Sequence, residues 1–177
     1  VAEKTTSAYQ QEFRSLFMAL NSNPDYNEWM EIYRKLVYWE LEMKKSDSPE
    51  MQEVFETQKQ EANTEFFKFI SKNYASWVSP KSTDGPIMSH TLLKYKVLPH
   101  LEKGTPLFFV LIDNLRFDQW KIIQPKFAES FRIQEEETFY SILPTATQYA
   151  RNAIFAGMLP VDIEKQFPNQ WKNDDEE

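Results

Sequence analysis

The sequence predicts two kinds of structure in series: a helical bundle, then the first part of an open, doubly wound α/β sheet. Three observations carry that expectation. Up to about residue 104, apolar residues recur at three- and four-residue spacing, as along one face of a helix. Near residue 105 the pattern gives way to a short continuous apolar run, Leu107 to Ile112, introduced by Gly104 and Pro106. Beyond it, helix-like and strand-like stretches alternate, which is the order of a sheet with crossover helices. The expected division is therefore a helical linker over 1–104 and the α/β part over 105–177.

The first helix is expected from roughly Thr6 to Leu20, where Tyr9, Phe13, Leu16, Phe17 and Leu20 form one stripe. Asn21 to Pro24 stops it, because a proline disfavours helix in the residue before it. The second runs from about Asp25 to Lys45. Its stripe of Trp29, Ile32, Tyr33, Leu36, Trp39, Leu41 and Met43 is wide enough to pack on more than one side. Ser48 and Pro49 then supply a cap and a first-turn proline for a third helix, Glu50 to Trp77, crowded with Val54, Phe55, Ala62, Phe66, Phe67, Phe69 and Ile70. Ser79 to Pro86 is a loop by composition, and a fourth helix is expected from Ile87 to about His100 through Leu92, Leu93, Val97 and Leu98. These stripes read as the core of a bundle of about four helices. An aromatic side chain left on the surface would instead mark an interface.

In the second part, Leu107 to Ile112 reads as a strand buried on both faces of a parallel sheet. A helix follows from about Arg116 to Phe127, then a strand between Phe131 and Ile142. Glu135 to Glu137 would sit at a solvated end or turn of that strand. A last helix runs from Ala146 to Ala156 and ends at Gly157, a residue type suited to the left-handed terminus.

Composition narrows the function classes. The chain lacks an initiator Met, which suggests a piece of something longer, and its 177 residues fit one ordinary domain or two small ones. With 41% hydrophobic and 15% aromatic residues it can bury a core, so a folded chain is expected. A net charge of −7 argues against broad binding of nucleic acid, though not against a nucleotide held through metal ions. The absence of cysteine excludes disulfides and thiolate metal sites. No apolar run approaches a bilayer span and none reads as a signal peptide, so a cytoplasmic location away from membranes is expected.

Two places can carry chemistry. Ligands of open α/β sheets bind beyond the carboxyl ends of the strands, and Asp113 stands there, directly after the apolar run. Its carboxylate suits a hard or borderline cation and, equally, the cap of the following helix. The second place is Leu143-Pro-Thr-Ala-Thr147, which sets Thr145 and Thr147 at a helix start. Unpaired N–H groups and the dipole favour a phosphate at such a start. A threonine hydroxyl there becomes a nucleophile when a bound metal lowers its pKa. Arg151, four residues on, shares the face of Thr147 and can hold a phosphate or pair with a carboxylate. The plainer readings are an ordinary capping threonine and a solvated arginine.

The run Asp113-Asn-Leu-Arg-Phe-Asp118, paired with Leu143-Pro-Thr-Ala-Thr147, Arg151 and Gly157, resembles the PglZ domain of the alkaline phosphatase superfamily. With the preceding helices, Phe109 to Trp120 looks like PorX-type response regulators of the Bacteroidetes type IX secretion system. The resemblance is specific over about residues 105 to 168. It implies that Asp113 is the first metal-binding aspartate and Thr147 the nucleophilic or metal-bridging threonine. Arg151 would take a phosphate or supporting role, and Arg116 and Asp118 structural or supporting ones. The metal implied is zinc, as two ions in the complete domain. The implied substrate is a phosphoester, a nucleotide or oligonucleotide included.

Departures limit the carry-over. The two histidines, His90 and His100, precede the first motif and do not have one-turn metal spacing. These residues are not expected to include a receiver domain, and the acidic run Asn173 to Glu177 reads as a solvated segment rather than a metal trap. Asp113 and Thr147 would thus be half of a site. Two functions follow from the resemblance. One is a metal-dependent phosphodiesterase or phosphatase as the output of a two-component regulator of type IX secretion. The other is a non-catalytic module relaying receiver phosphorylation to a homodimer interface, a sensor kinase or a sigma factor.

Overall fold

The computed structural model describes residues 2–79, 84–101, 104 and 106–171; the acidic run 173–177 and residues 80–83 of the loop expected over 79–86 lie outside them. Among these residues there are seven α-helices: α1 (Ala2–Asn21), α2 (Tyr26–Met43), α3 (Pro49–Trp77), α4 (Leu98–Leu101), α5 (Phe117–Phe127), α6 (Thr147–Ala156) and α7 (Pro160–Gln166). They divide into two compact units, one of 1–85 with 116–134, the other of 86–115 with 135–177.

The first unit is built on α1, α2 and α3. Tyr9, Leu16 and Leu20 of α1, Trp29, Ile32, Trp39 and Met43 of α2, and Phe55 and Ala62 of α3 form its buried core. Tyr9 is at the centre, its ring 5.2 Å from that of Trp39 and 5.7 Å from that of Phe55. The helix starts follow local chemistry. Asp25 Oδ1 accepts the N–H groups of Asn27 and Glu28 at 2.8 and 2.9 Å, while Glu28 Oε2 accepts that of Asp25 at 2.8 Å. This reciprocal cap satisfies donors a helix end otherwise leaves bare. Pro49 opens α3, and Gln52 Nε2 donates to the carbonyls of Met43 and Ser46, fixing the corner between α2 and α3.

The fourth helix expected over Ile87–His100 is broken. Ser89–Thr91 is a 3-10 turn, Leu93–Val97 a π turn and Leu98–Leu101 α-helical. The cause lies in the backbone. The Ile87 carbonyl accepts the N–H of Tyr140 at 3.0 Å and is diverted from a helical ladder, while Ser89 N–H, a donor that a helix starting at Ile87 would leave unpaired, donates to the carbonyl of Tyr140 at 3.1 Å. Pro99 adds a missing donor farther on. This segment belongs to the second unit, where Met88, Ser89, Tyr140, Ile142, Ala153, Ile154 and Ile163 are buried and the 3-10 turn packs on α6.

The expected sheet is absent among the described residues. Their one β-feature is an isolated parallel bridge between Met88 and Tyr140, so neither Leu107–Ile112 nor Phe131–Ile142 forms a strand. Nor is the first run buried on both faces: Phe108 is 90% exposed and Val110 76%. The physical reason is that an extended segment has no hydrogen-bond partners of its own, and no described segment pairs with this one. Phe109 meets Phe155 of α6 edge-on at 5.8 Å, and Leu111 is half-buried. No helix among the described residues is long and apolar enough to cross a membrane.

Candidate functional site

Asp113 ends the extended run in a tight turn. Asn114 takes a left-handed conformation, with φ of 58°, which asparagine tolerates better than most residues. Its N–H donates to Asp113 Oδ1 at 3.0 Å. The carboxylate thus binds within its own turn and does not cap α5; Arg116 holds the position before that helix. Asp113 Oδ2 faces Nη1 of Arg151 at 3.6 Å, and its side chain stays 39% exposed. One carboxylate oxygen is therefore committed to the turn and the other is open to a further partner.

The second contributor is α6. The bond between Leu143 and Pro144 is cis, and the chain enters the helix at Thr147 with Ala146 as the residue before it. The Ala146 carbonyl accepts from Tyr149 and Ala150 at 3.0 and 2.9 Å, and no side chain caps the helix. Thr147, half-buried in the first helical position, does not spend its hydroxyl on a cap. Arg151 follows one turn later. Ala153 and Ile154 are buried, which seats the helix. Gly157 closes it with φ of 65°, a left-handed value that glycine takes without cost. Exposed Thr145 stands just outside.

The remaining candidates sit apart from this arrangement in their contacts. Arg116 and Asp118 bond to each other in a fork, Nε to Oδ1 at 2.9 Å and Nη2 to Oδ2 at 3.0 Å. That hydrogen bond holds the Asp118 carboxyl below its ordinary range. Both belong to the first unit, whereas Asp113, Thr147 and Arg151 belong to the second.

The fit to a metal is partial. Asp113 and Thr147 offer oxygen donors of the kind zinc and harder cations accept. Among the described residues no group of three His, Cys, Asp or Glu side chains gathers in one place. His90 is not part of such a group. It is half-buried beside α6 and α7, its Nδ1 is enclosed without a hydrogen-bond partner, and burial pushes its pKa down against the opposing pull of Asp162. Helix α7, which supplies Asp162 and the buried Ile163, is not among the elements expected from the sequence, although Pro160 in its first turn is a signal for it.

Comparison with known families agrees with these two parts. Residues 1–78 match the PorX response regulator linker domain, and residues 92–175 match the BREX system PglZ alkaline phosphatase-like domain. No curated protein matches the chain. The chain is thus a PorX-type response regulator linker followed by a PglZ domain.

Proposed function

We propose that this chain supplies half of a zinc-dependent, phosphoester-cleaving site in a two-component response regulator. It would act on a phosphodiester or phosphomonoester, a nucleotide or oligonucleotide among them, and regulate type IX secretion. The observation that carries the reading is the approach of Asp113 to Arg151 at 3.6 Å, with Thr147 one turn earlier on the same helix. An alkaline-phosphatase-like sheet is part of the same reading. The bared apolar side chains of Leu107 to Ile112 would be its first strand, covered once neighbouring strands flank them.

Asp113 and Thr147 would hold the metal, with further donors from residues other than these two. When bound, zinc supplies Lewis acidity that lowers the pKa of a threonine hydroxyl and offsets phosphoryl charge. The chain's own residues do the rest. The open N–H groups in the first turn of α6 and the Arg151 guanidinium orient the phosphoryl oxygens. Thr147 Oγ1, its proton given up to solvent, would attack phosphorus; the bond to the leaving alcohol breaks, and that oxygen takes a proton from solvent. Water then cleaves the phosphothreonine and restores the hydroxyl.

Thr147→Val keeps the β-branched shape and removes the nucleophile. In the complete protein loaded with zinc it should abolish turnover of a phosphodiester substrate while leaving the circular dichroism spectrum unchanged. Retained turnover would remove Thr147 from the role.

A further inference from the structure

The linker bundle holds a cavity that the phosphoester site does not use. Its volume is about 870 Å³, inside the range of about 300–1,000 Å³ usual for small-molecule sites. Its walls come from the end of α1, the corner before α2, the first turn of α2, the second half of α3 and residues just after it. All of them lie between residues 20 and 85, so the cavity belongs wholly to the first unit. On α3, Glu65, Phe69, Asn73 and Trp77 recur every four residues, so one face of that helix forms a wall. Tyr26 and Trp29 of α2 add to it. The four rings touch in a row: Trp29 is 5.9 Å from Phe69, Phe69 5.6 Å from Trp77, and Trp77 6.2 Å from Tyr26. Trp29 is 5% exposed, whereas Tyr26, Phe69 and Trp77 are only half-buried and keep aromatic surface open. Gly85 backs onto the Trp77 indole, where a β-carbon would stand 3.0 Å from Cδ1.

Charge decides what such a wall would hold. The carboxylates of the lining are spoken for: Glu65 pairs with Lys68 at 2.6 Å, Asp25 caps α2, and Asp84 is engaged as well. Lys72 lines the cavity one turn beyond Lys68, and its ammonium has no partner among the described residues. The unmatched charge is therefore positive and favours an anion. A cation would gain the ring faces but meet that ammonium. Two further groups await partners. The carboxamide of Asn23, also in the lining, has none among the described residues, and a carboxamide suits the donor–acceptor edge of a heteroaromatic base. Trp29 Nε1 is enclosed without an acceptor among the same residues, so a ligand acceptor reaching it would remove the cost of a bare donor.

We infer that this cavity is a nucleotide-binding site, with a base stacked on the open aromatic faces and its phosphate on Lys72. Aromatic side chains stack on any base, and a lysine meets phosphate as a point charge. The inference is independent of zinc and of Thr147, and it makes the linker a ligand-binding module in its own right.

The test titrates AMP, GMP, CMP and UMP into the complete, metal-free protein labelled with fluorotryptophan. Fluorine NMR then follows the signals of Trp29, Trp77 and Trp171, each assigned from its Trp→Phe variant. A saturable shift of Trp29 and Trp77 is expected with at least one nucleotide. Trp171, whose ring is 6.0 Å from that of Tyr149 on α6, reports the phosphoester site and should stay in place. Lys72→Gln changes an exposed position of α3 and so keeps the fold. It should weaken the binding about tenfold, the scale of one charge-assisted hydrogen bond. The matching nucleoside should lose affinity to the same extent, and choline should leave Trp29 and Trp77 unmoved. No response of Trp29 and Trp77 to any of the four nucleotides would overturn the inference, and so would a shift confined to Trp171. Equal affinity of Lys72→Gln and the wild type would overturn the phosphate contact and with it the nucleotide assignment. A response to choline in place of nucleotides would mean that the cavity selects cations, the opposite of the inference.

Discussion

Arg151 Nη1 lies 3.6 Å from Asp113 Oδ2, joining the end of an extended apolar run to the second turn of α6. Both side chains are more than a third exposed, so the pair adds only about 0–1 kcal/mol to stability. Under the proposed function, its weight would lie in placing a guanidinium beside a phosphoryl group. Arg151→Ala should barely move the urea midpoint of this chain. In the complete protein it should lower phosphoester turnover about a hundredfold, the cost of losing one preorganised donor. Arg151→Lys keeps the charge but not the fork and should recover only part. Wild-type turnover in Arg151→Ala would exclude the phosphate role.

The long helices were legible because burial and spacing coincide in them. Tyr9, Leu16 and Leu20 are buried as their stripe requires, and Trp29, Ile32, Trp39 and Met43 likewise. Phe17 and Phe67 share the hydrophobic character and remain exposed, because a helical stripe has edges that composition does not mark. The broken stretch after Ile87 was not legible. Its fate depends on Tyr140, distant in sequence, taking the Ser89 N–H as a bridge partner. The apolar run before Asp113 could be read as strand-forming, but a strand exists only with neighbours, and periodicity says nothing about those. At the site, each of Asp113, Thr147 and Arg151 could be assigned to the end or face of an element. Whether Asp113 met Arg151 required the fold, as did the docking of Phe117 on Tyr33.

The first unit carries one buried polar pair whose removal is measurable. Tyr9 Oη donates to Gln58 Oε1 at 2.9 Å, and Gln58 Nε2 donates to the Phe13 carbonyl at 3.0 Å. Tyr9→Phe keeps the ring contacts and leaves the Gln58 acceptor buried and unpaired, at a cost of about 1–3 kcal/mol in urea unfolding. Burial also raises the Tyr9 phenol from 10.0 to about 12. A folded-state pKa above the unfolded one means a contribution fully present below the unfolded value and lost as pH rises through the folded value. Wild-type stability should therefore fall between pH 10 and about 12, with a component missing in Tyr9→Phe. Parallel alkaline profiles for the two proteins would contradict the assignment.

On the acid side the sensitive group is His90 in the second unit. Burial lowers its pKa below the ordinary 6.5, Asp162 opposes this, and its Nδ1 is enclosed without a partner. The imidazole is therefore favoured neutral in the folded chain. A depressed folded pKa gives stability that is complete above the unfolded value and lost as pH falls from 6.5 through the folded value. The loss should appear where His90 sits. Next to it, Ser89 bonds Tyr140 and Ile142 through its N–H and Oγ, and the turn carrying both packs on α6. Amide exchange over residues 87–91 and 147–157 should accelerate between about pH 7.5 and about pH 5.5, beyond the intrinsic change with pH, while α1 and α2 keep their protection. His90→Asn, which cannot take up the proton, should show no such acceleration. The same protection at both pH values in the wild type would mean that His90 is charged without cost in the folded chain.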